Sequence, residues 1–308
     1  MGFTIVLGCV LSMIAFMAMG YAMAKAKLAK VEHSRTLSAF LVYCATPGMI
    51  ISSFQTMYFT PEDGKKLLLF FLASLAVQLI MYGAMVLILG KRLEKGKFRI
   101  LTIGSFMGNV GFFGRPLVEA LFPDQPIVAC YSMMFATSMN LLIFTIGEFM
   151  ISRDRKYITI KRAFINPTIL AVMVAIPLYL LRIKLPSGIQ SIMLTLREMS
   201  APICMFVLGV RLASMDLKDV FGQPIAYLGS ALKLIAFPLL AYAIVYFIPW
   251  FDSTFKITLL ITTGTPCAAV MLSLAELHDC EQKNAACTLL VSTILCIITL
   301  PLLALLFT

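Results

Sequence analysis

Between Gly104 and Pro123 the chain reads GSFMGNVGFFGRPLVEALFP, which sets Gly108, Gly111 and Gly114 three residues apart, Asn109 among them, and Arg115, Pro116 and Glu119 just behind. These are residue types for holding an anion. An amide at Asn109 donates hydrogen bonds to a carboxylate without the cost of burying a charge, and glycines let a ligand approach the backbone. Half-helix N-termini beside them add positive partial charge. The competing reading of Asn109 is a helix-end cap or an interhelical hydrogen bond, and the glycines serve equally well for tight helix packing.

Arg115 carries two readings as well. A guanidinium near the middle of a bilayer costs about 3 kcal/mol or more unless it faces a partner or water. It either binds the second carboxylate of a dicarboxylate or replaces a coupling cation, or it forms a static ion pair with Glu119, one helical turn on. Lys233, Gln78 and Asn140 are further polar residues inside apolar stretches, the last beside Thr137 and Ser138. A desolvated lysine at 233 is a proton carrier or a donor to freed helix carbonyls. Glu148 reads as interfacial, and Arg197 with Glu198 as a snorkelling or locally paired group. Pro116 and Pro266 read as shaping residues that break helices and free carbonyls.

Other chemistries find no constellation. The eight cysteines are spread through apolar segments without metal-ligand spacing, and the two histidines, His33 and His278, have no ligand partners nearby in sequence. No nucleophile–base pair or nucleotide motif is visible, so neither an enzyme, a cofactor nor a metal is expected.

The elements that must position these residues are set by composition. Of 308 residues, 60% are apolar and 13% charged, the balance of an all-α polytopic membrane protein rather than a soluble domain. Ten apolar segments fit, at 3–24, 37–57, 66–90, 99–122, 126–150, 163–181, 189–210, 224–248, 255–277 and 284–307. The first has no preceding basic residue and no cleavage site, so it reads as a retained span. Net charge is +10, yet the charges follow the loops and imply no nucleic-acid partner. Seventeen basic residues lie in odd-numbered loops, among them Lys91, Arg92, Arg153, Arg155, Lys156, Lys161 and Arg162, against five in even-numbered loops. That bias makes the odd loops cytoplasmic and both termini extracytoplasmic.

An internal repeat organises the spans. Ala45-Thr46-Pro47 resembles Ser200-Ala201-Pro202 at an offset of 155, and the same offset carries spans 1 to 5 close to spans 6 to 10. An odd number of spans per copy inverts the second copy, giving a 5+5 inverted repeat: 1–150, a short cytoplasmic linker at 151–162, and 163–308. The offset lays Asn109 on Gly264, Gly111 on Pro266 and Gln78 on Lys233. Spans 4 and 9 are thus both expected to be broken. Thr265, Ala269 and Val270 join the substrate candidates from the second break.

The run Gly108-Asn109-Val110-Gly111-Phe112-Phe113-Gly114-Arg115-Pro116-Leu117 resembles the fourth-span signature of the auxin efflux carrier family. That family includes plant PIN-formed auxin exporters and bacterial carriers proposed for malate, malonate and related acids. Asn166-Pro167, Ala201-Pro202 with Leu208-Gly209, Lys233-Leu234 with Pro238, Pro266 with Ala268, and Thr299-Leu300-Pro301 match in order, so the resemblance covers essentially the whole chain. It implies a fold similar to bile-acid symporters and sodium/proton antiporters. Spans 1, 2, 6 and 7 would form a scaffold able to dimerise, and spans 3–5 and 8–10 a transport domain in which broken spans 4 and 9 cross. The implied activity is secondary transport of small organic anions by alternating access in the plasma membrane. The long loop of plant members is absent, so the chain looks like a compact, bacterial-type member, and Arg115 stands where the plant pattern has an apolar residue. The alternatives are a cation/proton antiporter on the same fold, which needs carboxylates at the crossing, and a carrier-like membrane sensor.

Overall fold

A backbone inside a bilayer must satisfy its own hydrogen bonds, which leaves helices or closed barrels. The computed structural model describes residues 2–154 and 165–307, and among them the regular elements are helical, with one isolated bridge between Gly108 and Cys267. In chain order they are α1 (Gly2–Lys25), α2 (Val31–Gln55), α3 (Pro61–Leu89), α4 (Gly96–Phe106), α5 (Arg115–Leu121), α6 (Ile127–Ser152) and α7 (Pro167–Leu180). There follow α8 (Ser187–Ala213), α9 (Leu217–Phe221), α10 (Pro224–Tyr246), α11 (Ser253–Thr263), α12 (Ala269–Leu277) and α13 (Gln282–Ala304). Seven of them, α1, α2, α3, α6, α8, α10 and α13, are long and apolar enough to cross a membrane, and α7 is a shorter apolar helix. The remaining apolar length is divided between two interrupted pairs, α4 with α5 and α11 with α12. The linker expected at 151–162, its basic residues Arg155, Lys156, Lys161 and Arg162, and the start of the sixth segment fall largely outside the described residues.

Side-chain caps mark the starts of α3, α7 and α11. Thr60 accepts from the Asp63 N–H at 3.1 Å, Asn166 from Ile169 at 3.0 Å and Asp252 from Phe255 at 2.7 Å, each satisfying an N–H that the first turn leaves without a partner. The polar turn capped by Thr60 therefore extends α3 beyond its apolar window, to Pro61.

Among the described residues α2, α6 and α10 contain a π-turn, at Leu41–Ala45, Ile143–Gly147 and Leu232–Ala236, and a fourth at Val110–Gly114 leads directly into α5. In three of them the residue that donates back five positions, Thr46, Arg115 or Phe237, immediately precedes a proline. A proline ring presses on the carbonyl four residues earlier, and widening the turn relieves that clash. Helices with Pro47, Pro116 and Pro238 thus continue without a sharp break.

The helices pack in two groups. The first is α1 on α8, α8 on α2 and α2 on α7; the second contains α3 on α6, α10 on α11 and α13, and α4 on α3 and α10; α1 joins the two by packing on α13 and α5 as well. In the first group α1 and α8 meet backbone to backbone. A Cβ on Gly20 would overlap the Phe206 carbonyl oxygen, and one on Gly209 would overlap that of Met17. Van der Waals contact of this kind drives helix association where lipid removes the hydrophobic effect. The second group is joined by rings: Phe70 stacks on Tyr131 at 4.4 Å and meets Phe255 edge-on at 4.8 Å, tying α3, α6 and α11. Between α7 and α8, Lys184 donates to the carbonyls of Gln55 and Met57 at 2.6 and 2.7 Å. Partial burial there holds its pKa below the usual lysine value.

Candidate functional site

Helix α4 ends at Phe106 and helical structure resumes at Val110, while α11 ends at Thr263 and resumes at Ala269. The two gaps lie antiparallel against each other. Asn109 N–H donates to the Pro266 carbonyl at 2.8 Å and Ala268 N–H donates to the Met107 carbonyl at 3.1 Å, with Gly108 opposite Cys267. Unwound backbone inside a membrane protein needs such partners, and each gap supplies them to the other. The hydrogen bonds set Asn109 against Pro266, whereas the repeat offset aligns it with Gly264. Gly108 is required by the close approach: a Cβ there would overlap Thr265 Oγ1 and stand 3.0 Å from Lys233 Nζ.

The carbonyls released at the end of α11 are capped by side chains. Thr265 Oγ1 donates to the Thr262 carbonyl at 2.8 Å, and the fully buried Lys233 ammonium donates to the Thr263 carbonyl. Lys233 belongs to the π-turn of α10 and also stands 5.1 Å from the centre of the Phe237 ring. A cation at this position opposes the negative end of the α11 dipole. Cys267 is held on both sides, its N–H donating to Ser292 Oγ at 3.0 Å and its thiol to the Gly104 carbonyl at 3.4 Å.

Asn109 is 5% exposed. Its backbone carbonyl accepts from the N–H groups of Phe113 and Gly114 at 2.9 and 3.1 Å, which anchors the start of the next helix. Its side-chain amide reaches Cys204 Sγ on α8 at 3.7 Å, and a thiol is a weak acceptor. The amide therefore retains most of its donor capacity. Two helix starts, at Val110 and at Ala269, lie at the same junction, and the first-turn N–H groups of Gly111, Ala269 and Val270 have no partner within their own helices. Together these groups set hydrogen-bond donors and a lysine amine at one place, a chemistry that can bind a small anion.

The structure thus brings Gly108, Asn109, Gly111, Thr265, Lys233, Pro266, Ala269 and Val270 to one place. Other candidates lie in separate contacts. Arg115 is buried and paired with Glu119 at 2.7 Å, its second guanidinium nitrogen donating to the Arg197 carbonyl at 3.2 Å. The Arg197 guanidinium binds the other oxygen of the same carboxylate. Gln78 donates to Ser138 Oγ at 2.8 Å, joining α3 to α6. The Asn140 amide donates to the Ala136 carbonyl of its own helix at 2.7 Å. Pro116 follows the π-turn at Val110–Gly114. Sequence reasoning did not find Cys204, the Arg197–Glu119 bridge, or Met49, whose methyl lies 2.8 Å from a Cβ built on Gly111. Glu148, read as interfacial, is 3% exposed and lies 3.4 Å from His278 Nε2.

A groove of about 430 Å³ runs between α2, α3, α6 and α7, lined by apolar side chains such as Phe54, Leu67, Met134, Ile169 and Tyr179. None of the junction residues lines it, and its surface suits hydrocarbon rather than a charged solute.

The sequence pattern of the membrane transport protein family matches residues 5–304 of this chain. An uncharacterized transporter of Methanothermobacter thermautotrophicus is 26% identical over 298 residues, 95% of each chain. An uncharacterized transporter of Methanocaldococcus jannaschii is 25% identical over 95% of this chain and 96% of its own. A Rhizobium meliloti protein named "Putative malonate transporter" is 24% identical over 95% of this chain and 92% of its own. With a match over nearly its full length, and a helical body built around two interrupted helices, the chain belongs to the membrane transport protein family, which is the auxin efflux carrier family.

Proposed function

We propose that the protein is a secondary carrier for small organic anions, carboxylates such as malate, malonate or an auxin-like acid, with the binding site at the junction of the two interrupted helices. The observation that carries this reading is the reciprocal backbone pairing of Asn109 with Pro266 and Ala268 with Met107, beside a buried amide and a buried ammonium. Asn109 and the helix starts at Val110 and Ala269 would donate to the carboxylate, and Lys233 would hold the positive potential. Arg115, engaged by Glu119 and Arg197, is assigned to the ion cluster rather than to substrate.

The architecture proposed with it is ten spans in a 5+5 inverted repeat, 1–150 and 163–308. Helices α1, α2, α7 and α8 would be the scaffold and the dimer face, and α3–α6 with α10–α13 the moving unit; the packing groups support this division. The proposed setting is the cell membrane, with both termini outside.

Uptake of labelled malate, malonate and an indole carboxylate into proteoliposomes, under imposed pH, sodium and voltage gradients, tests the reading. Carboxylate flux that disappears in Asn109→Ala is the expected result. Sodium or proton exchange without carboxylate flux would replace it with the antiporter.

A further inference from the structure

Arg197, Cys204 and Arg211 stand seven residues apart on α8. Seven residues make nearly two turns, so the three lie on one stripe at intervals of about 10 Å. Each touches a different part of the interrupted pairs. Arg197 binds Glu119 of α5, Cys204 faces the Asn109 amide at the junction, and Arg211 Nη1 binds Glu276 Oε1 of α12 at 2.9 Å. Glu119 and Glu276 both sit in the last turn of their helices, where the dipole disfavours a carboxylate. Each is offset by an arginine from the same neighbouring helix. The two bridges are unequal: the Glu119 carboxylate is 24% exposed and shared with buried Arg115, whereas Glu276 is 45% exposed and pairs with Arg211 alone among the described residues.

We propose that Glu119–Arg197 and Glu276–Arg211 are two end-latches that position the interrupted helices against α8, and that opening the site toward either end requires one of them to part. The proposal rests on the alternating-access reading above. Ion pairs about 21 Å apart along one continuous helix pin the interrupted pairs at two separate points, because a shift of α5 or of α12 away from α8 parts the guanidinium from its carboxylate at that end while the other pair holds. The weak Asn109–Cys204 contact between them permits that shift. Inequality of the latches makes the Arg211 end the easier one to open.

The test uses the full chain in lipid nanodiscs with exposed Cys44 changed to serine. Spin labels at Ser214→Cys and Leu277→Cys read one end by pulsed dipolar spectroscopy, and labels at Asp124→Cys and Ile192→Cys read the other. Glu276→Gln is expected to add a longer distance at the first end only, and Glu119→Gln at the second end only. Where Glu119→Gln fails to fold, Arg197→Gln, which keeps Arg115 on Glu119, replaces it. The exchange Glu276→Arg with Arg211→Glu restores the single short distance. Unchanged distances in folded variants, or widening at both ends together, would overturn the latches. Carboxylate uptake by the unmutated protein is measured in parallel: its absence removes the transport reading and leaves an end-specific distance response standing.

Discussion

The two interrupted helices differ at their ends in backbone and in what takes up the released carbonyls: α4 passes into extended backbone at Met107, whereas α11 keeps helical dihedrals at Gly264. At the end of α4 the released carbonyls of Gly104 and Met107 accept from neutral groups, the Cys267 thiol at 3.4 Å and the Ala268 N–H at 3.1 Å. At the end of α11 the Thr263 carbonyl accepts from a buried ammonium on another helix. The difference teaches that two gaps whose backbones pair with each other need not share their electrostatics. Lys233 has Gln78 as its counterpart at the repeat offset, and Gln78 bonds Ser138 instead of the α4 terminus. One side of the junction therefore presents a buried lysine amine while the other offers the Asn109 amide.

Substitutions that remove this asymmetry should have the largest effects. Lys233→Met leaves the Thr263 carbonyl without its donor and is expected to cost about 2–3 kcal/mol, read as a lower melting temperature in detergent, together with loss of uptake. Gly108→Ala forces a methyl against Thr265 and Lys233 and should cost about 1–3 kcal/mol; Gly264→Ala meets the movable Leu303 side chain at 2.7 Å and should cost less. A melting series in which Gly264→Ala is the worse variant would break the comparison. Gln78→Met, which gives up one neutral hydrogen bond, should cost about 1 kcal/mol, so equal losses for it and Lys233→Met would show the two positions to be electrostatically equivalent. Asn109→Ala separates binding from folding: uptake should fall more than tenfold while the melting temperature shifts little, because the amide gives up only a 3.7 Å approach to a thiol. The smallest effect on selectivity is expected at Arg115→Gln, where the ratio of malate to monocarboxylate KM should stay within about twofold, since Glu119 and Arg197 already occupy the guanidinium.

Much of this is legible in the sequence because it depends on local rules. Long apolar runs imply membrane helices, and glycine and proline near 108 and 266 mark where helices lose continuity. Partners supplied from far along the chain are not legible. Arg197 reads locally as a snorkelling residue beside Glu198, and only packing brings it to Glu119, 78 positions away. Asn140 reads as a cavity-lining amide, yet an amide on a helix can turn back on its own carbonyls, and it bonds Ala136. The π-turns leave no trace in hydropathy, since adding a residue to a turn does not change its composition.

Those turns also say how the helices respond to length changes. A π-turn holds one residue more than the α-turn it replaces, so the segment beyond it is rotated by about 100° relative to an uninterrupted helix. Deleting a single residue from Leu232–Ala236 would restore the ordinary ladder and swing one flank of α10 around its axis. A lysine that lies within that turn is kept aimed at the junction by the extra residue, so at this one position the chain's count of residues acts as a constraint as strict as their chemical identity.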